Sequence, residues 1–124
     1  MAYPRWVSFE ARQASTCCCQ NAVFAVSLPG SDELLFLPLG GTGEIGMNFN
    51  LYGHAGKWII IDCGITFDSE LTDKSNIIIP DSSFIEEQRD NIVGLVLTHG
   101  HEDHIGAVQY LWRSLGCKIY ATPF

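Results

Sequence analysis

The chain has 124 residues, seven Lys and Arg against fourteen Asp and Glu, and a formal net charge of -7. The acidic balance is a poor match for a polyanion, which normally meets a surface rich in Lys and Arg. No run reaches the roughly 18 apolar residues of a membrane helix, so the sequence gives no support to a membrane role.

Residues 1 to 31 have sparse charge and no periodic pattern, and are read as a flexible extension. Cys17-Cys-Cys19 lies here; adjacent cysteines are poor disulfide partners, and a metal knot lacks its C-x-x-C spacing. No charged segment followed by an apolar core and a cleavage site marks a signal peptide. All five cysteines are expected as thiols in a reducing compartment.

From residue 32 onward the pattern becomes regular. Leu34 to Leu39, Phe49 to Tyr52 and Lys57 to Asp62 are strand candidates, with Gly53-His-Ala-Gly56 as the hairpin turn between the last two. His54 stands alone in that turn and receives no function. Between the first two strands, Gly40-Gly-Thr-Gly-Glu-Ile-Gly46 matches neither a P-loop nor a dinucleotide fingerprint. It is expected as a turn that needs positive φ, with Gly41, Thr42 and Gly43 as a candidate substrate loop. Ile77 to Ile79 is too short to assign. Ser83-Phe-Ile-Glu86 has the capping-box pattern of a short helix reaching about Arg89.

Gly94-Leu-Val-Leu-Thr98 reads as a strand buried on both faces. Ile105, Val108, Leu111, Trp112 and Leu115 then recur at helical spacing, predicting one helix from near Asp103 to Gly116. Arg113 suits the dipole of its last turn. Cys117 to Ala121 closes as a short strand. Strands first, then strand, helix, strand, predict an α/β sheet covered by helices.

The chemistry concentrates at Thr98-His-Gly-His-Glu-Asp-His-Ile-Gly106, which holds three of the chain's four histidines. Imidazole and carboxylate suit a borderline divalent ion such as zinc. His99 and His101 project to one side of the segment, and the start of a helix swings Asp103 and His104 toward a second point, so the spacing fits two ions better than one. Asp62 ends an apolar strand, where a carboxylate is costly unless paired; it is read as an outer acceptor that fixes a ligand histidine. No Ser-His-Asp or activated Cys constellation is present.

His99-x-His101-x-Asp103-His104, with Asp62-Cys-Gly64 upstream, resembles the signature of the metallo-β-lactamase superfamily. A narrower resemblance, to the ribonuclease J family of its β-CASP branch, rests on several motifs. These are Leu37-Pro-Leu-Gly-Gly-Thr-Gly-Glu-Ile-Gly-Met-Asn48, Ile61-Asp-Cys-Gly64, Ile79-Pro-Asp81, Leu97-Thr-His-Gly-His-Glu-Asp-His-Ile-Gly-Ala107 and Ile119-Tyr-Ala-Thr-Pro123. It covers residues 32 to 124 and looks like that family's N-terminal part.

The resemblance implies the first half of an αββα sandwich, because a whole metallo-β-lactamase domain needs about 200 residues or more. It also implies a cytoplasmic ribonuclease that cuts single-stranded RNA internally and from the 5′ end, with two Zn2+ ions. His99 and His101 match ligands of one ion, and Asp103 and His104 match ligands of the other. Asp103 is the catalytic candidate that orients the attacking water. Some family members carry a structural Ca2+ ion, for which no residue is assigned, and the complete protein is expected to be a homo-oligomer. The family's later ligands and its β-CASP domain have no counterpart in the sequence, so the chain alone is expected to bind zinc weakly and to lack turnover. Two other readings are a non-catalytic remnant or interaction module, and a small-molecule hydrolase of the same superfamily. The Leu37-to-Asn48 and Ile119-to-Pro123 motifs argue against the latter.

Overall fold

A computed structural model describes residues 28–67 and 76–123. The expectation for the N-terminal extension through residue 27, including Cys17 to Cys19, lies outside the described residues.

The sheet begins as a meander because apolar side chains alternate. In β1 (Leu35–Gly40), β2 (Phe49–His54) and β3 (Lys57–Ile61), the residues Phe49, Leu51, Trp58 and Ile60 all face one side and are buried. β1 pairs antiparallel with β2, and β2 with β3, placing Leu51 opposite Ile60 and Gly53 opposite Trp58. Ala55 and Gly56 both adopt positive φ, the condition for a two-residue turn whose twist matches the flanking strands. The hairpin is therefore tighter than expected, and His54 is the last residue of β2 rather than part of the turn. Its Nδ1 lies 2.8 Å from the Glu33 carbonyl.

After β3 the chain crosses over through β4 (Thr66–Phe67) and β5 (Ile77–Ile78), which pair with each other, and then α1 (Ser83–Glu87). The expected helix start is displaced by one residue. Ser82 Oγ reaches Glu86 at 2.8 Å, and Asp81 Oδ1 accepts the Ser83 N–H at 2.9 Å. The Ser83 hydroxyl and N–H together hold the Asp81 carboxyl below its ordinary range. The helix also stops before Arg89, giving way to a 3-10 turn over Arg89–Asn91.

The chain then returns as β6 (Ile92–Val96), parallel to β3, and later as β7 (Ile119–Tyr120), parallel to β6. The sheet order is β1-β2-β3-β6-β7. β6 lies two residues earlier than the hydropathy run suggested, because the Thr98 N–H goes to the Asp62 carboxylate instead of a neighbouring strand. Nor is the predicted run buried on both faces: Gly94 and Leu95 are buried, but Val96 and Leu97 are half-buried and Thr98 is exposed.

The long helix predicted from Asp103 to Gly116 is two helices, α2 (Glu102–Ile105) and α3 (Val108–Leu115). The break has a specific cause. The carbonyl of Asp103 accepts the Asn48 N–H at 2.9 Å, that of His104 accepts the Cys63 N–H at 2.7 Å, and the Ala107 N–H is given to the Cys63 carbonyl at 3.0 Å. Hydrogen bonds that would continue the helix are diverted to the loop after β3. At the far end, Gly116 closes α3 in the left-handed conformation, as its sequence position predicted.

Ile85 of α1 and Leu111 and Leu115 of α3 pack with Trp58, Ile60 and Leu95 in one core on a single face of the sheet. Trp112 was expected in that stripe. It lies at the stripe's edge instead and is half exposed, with the Arg113 guanidinium 5.2 Å from its ring centre. Among the described residues no helix is long and apolar enough to cross a membrane.

The seam between the post-β3 loop and α2 leaves no room for a side chain at Gly64, where a β-carbon would overlap the Asp103 carbonyl. Gly64→Ala is expected to cost at least about 3 kcal/mol, the upper range for overpacking a site that cannot relax. Urea unfolding of the intact protein measures it; a loss below about 1 kcal/mol would show that the seam yields.

Candidate metal centre

β3 and β6 run parallel and end side by side, and the motif residues are carried beyond their C-terminal ends, where open α/β sheets form their crevices. Asp62 is the first residue past β3. Thr98, His99 and His101 follow β6, and Asp103 and His104 occupy the first turn of α2.

Asp62 is buried and has a φ of 62°, a left-handed conformation that Asp tolerates better than most residues. Its Oδ1 accepts the Thr98 N–H at 2.8 Å, and its Oδ2 lies 2.8 Å from His104 Nδ1. The Thr98 hydroxyl sits 2.9 and 3.0 Å from the two carboxylate oxygens and 3.0 Å from His99 Nδ1. An ionised carboxylate only accepts, so the protons can be assigned from the network. His104 donates from Nδ1 to Asp62; Thr98 donates its hydroxyl hydrogen to Asp62 and accepts from His99 Nδ1. One buried carboxylate therefore places the Nδ1 proton of both imidazoles, so that in the neutral ring Nε2 is the atom left free for a metal ion.

The rings are close together. The His99 centroid is 4.6 Å from that of His101 and 4.0 Å from that of His104, and His104 Nε2 is 3.4 Å from Asp103 Oδ2. Three imidazoles and a carboxylate, two of the rings held with free Nε2 atoms, fit a borderline divalent ion in donor chemistry. Among the described residues, however, no three His, Cys, Asp or Glu side chains are arranged so that they could hold a metal ion. The rings pack against one another instead, and the His104 Nε2 lone pair faces the Asn48 amide at 3.3 Å.

Two residues that sequence reasoning did not single out belong to this arrangement. Thr98 preceded the histidines as an unremarked strand end, and its hydroxyl is what links His99 to Asp62. Asn48 is 55 residues from Asp103, and nothing local in the chain signals their meeting. The glycine loop stands next to Asn48, with positive φ at Gly41, Gly43 and Gly46. The Gly41 N–H is committed to the Glu44 carboxylate at 3.1 Å, while Thr42 and Gly43 are exposed. Cys63 is fully buried, and burial, with smaller contributions from Cys117 and Asp62, pushes its thiol up to about 12. At neutral pH it stands as a buried thiol, not a thiolate.

The sequence pattern of the metallo-beta-lactamase superfamily matches residues 43–123, the stretch that carries the site. The chain belongs to this superfamily, and its mixed sheet with helices on one face is part of that fold. Within the superfamily it is similar to Ribonuclease J. The protein of that name from Sinorhizobium meliloti is 47% identical over 97 residues, 75% of this chain and 17% of the relative. That of Helicobacter pylori is 39% identical over 103 residues, 83% of this chain and 15% of the relative. That of Mycobacterium tuberculosis is 48% identical over 83 residues, 67% of this chain and 15% of the relative. The chain thus spans about a sixth of the length of these relatives.

Asp62→Ala strands two Thr98 donors and His104 Nδ1 at once, and is expected to cost about 3 kcal/mol in a denaturant titration. A cost near zero would mean that water replaces the carboxylate. The Cys63 thiol carries a thiolate fraction of only about one in 10^4 at pH 8, so iodoacetamide should label it solely in unfolded protein. Labelling of the native protein at the rate of a free thiol contradicts this.

Proposed function

We propose that this chain carries the metal-binding segment of a zinc-dependent ribonuclease acting on single-stranded RNA in the cytoplasm, by internal cleavage and by 5′-to-3′ degradation. The observation that carries this reading is the Asp62 carboxylate, which orients His104 directly and His99 through Thr98 beyond the ends of the parallel strands. Similarity to Ribonuclease J supports RNA as the substrate class.

In this reading His99 and His101 hold one ion, and Asp103 and His104 hold the other. Divalent ions bound there would lower the pKa of a water and stabilise charge developing at the scissile phosphate. The chain's own residues do the rest. Asp62 fixes the tautomer of both imidazoles, and the Asp103 carboxylate orients the attacking water and accepts its hydrogen bond. The exposed Thr42 and Gly43 form the wall along which the RNA backbone approaches. The net charge of -7 supplies little attraction for that backbone, so the basic groove belongs to parts of the protein outside these residues.

The test is hydrolysis of a 5′-monophosphorylated single-stranded RNA by the intact protein. Chelation should abolish turnover, zinc should restore it, and His104→Ala or Asp103→Ala should lower kcat by at least about 100-fold. Turnover that survives chelation and both substitutions would sink the reading.

A further inference from the structure

One side chain that is not itself a candidate ligand touches two of them. The Asn48 amide nitrogen Nδ2 donates to the Asp103 carbonyl at 3.1 Å and lies 3.4 Å from Asp103 Oδ2 and 3.3 Å from His104 Nε2. Its backbone N–H donates to the same Asp103 carbonyl at 2.9 Å, and its own carbonyl accepts the Gly64 N–H at 2.9 Å. Asn48 therefore holds α2 by main chain and side chain together.

The glycine loop is shaped around this residue. A β-carbon on Gly41, whose φ is +78°, would meet Asn48 Oδ1 at 2.6 Å and Asn48 Cα at 2.9 Å. With its N–H given to Glu44, Gly41 is poorly placed to cradle a phosphate; its lack of a side chain gives Asn48 its seat. Residue type follows from the partners. The carbonyl and carboxylate of Asp103 can only accept, so a donor is required opposite them. Asp at position 48 would repel, and Leu would leave the Asp103 carboxylate without this donor and its carbonyl with the backbone N–H of residue 48 alone.

We propose that Asn48 is a positioning residue that acts through Asp103 and His104, holding their donor atoms on one side as a pair, and that Gly41 exists to admit it. The inference rests on the reading that these two residues share one of two metal ions. Cobalt(II) serves as the probe, titrated by absorbance into metal-free intact protein. A wild-type protein that takes up fewer than two cobalt ions overturns that underlying reading, and this inference with it, before any variant is made.

Given two ions, Asn48→Leu should weaken one binding step about 10- to 100-fold, the range for outer partners of metal ligands, and leave the other within about twofold. Gly41→Ala should weaken the same step. Equal weakening of both steps assigns Asn48 a purely structural role and overturns the proposal. Unchanged affinity overturns it as well, and so does tighter binding, which would mean that the amide merely obstructs His104 Nε2. If thermal melting shows that Asn48→Leu does not fold, Asn48→Ser, smaller and with the same backbone N–H, is put to the same criterion.

Discussion

A carboxylate buried at the junction of two parallel strands is the constraint on which this structure turns. Removing Asp62 from water is costly unless its oxygens are filled, and they are filled by a backbone N–H, a hydroxyl and an imidazole from the far side of the β6 terminus. Because those donors belong to Thr98 and His104, satisfying one charge fixes where β6 ends and how the histidine segment leaves it. The left-handed backbone at Asp62 is a local strain of about 1–3 kcal/mol in general terms, of the sort that persists only where surrounding contacts determine it.

The peptide groups follow the same logic. The loop after β3 and the first turn of α2 exchange main-chain hydrogen bonds: Cys63 N–H to the His104 carbonyl, Ile65 N–H to the Glu102 carbonyl, and Ala107 N–H back to the Cys63 carbonyl. This lacing brings two backbones so close that only glycine fits at position 64. It also interrupts the helix at the place where the candidate ligands sit. A regular helix from Asp103 to Gly116 would keep those carbonyls for itself, and the site would lose its attachment to the sheet. Ligand placement and helix interruption are one event seen from two sides.

Much of this was legible in the chain, for identifiable reasons. The alternation of Phe49, Leu51, Trp58 and Ile60 declares which face of the meander is buried, and Gly116 marks where the last helix stops, because both are local rules of backbone and hydropathy. The motif from His99 to His104 stands out by composition alone. Less was legible where a side chain overrides a local rule. The early end of β6, the Asp81 and Ser82 contacts at the start of α1, and the two-residue strand β4 against β5 each depend on a partner that hydropathy does not reveal. Trp112 looked internal at helical spacing and is instead half exposed on the flank, beside the Arg113 guanidinium.

What the sequence determined by itself is the kind of chemistry: imidazoles and carboxylates at metal-ligand spacing after an apolar strand, within a superfamily whose motifs the chain carries from residue 43 to 123. Local residue order suffices for that, since ligand type is a property of side chains. The tertiary structure decided how those groups are held. Asp62 lies 42 positions from His104 and Asn48 lies 55 from Asp103, and only the parallel pairing of β3 with β6 brings such distant residues within hydrogen-bonding reach. The physical reason is that a hydrogen bond acts over about 3 Å in space and is blind to separation along the chain.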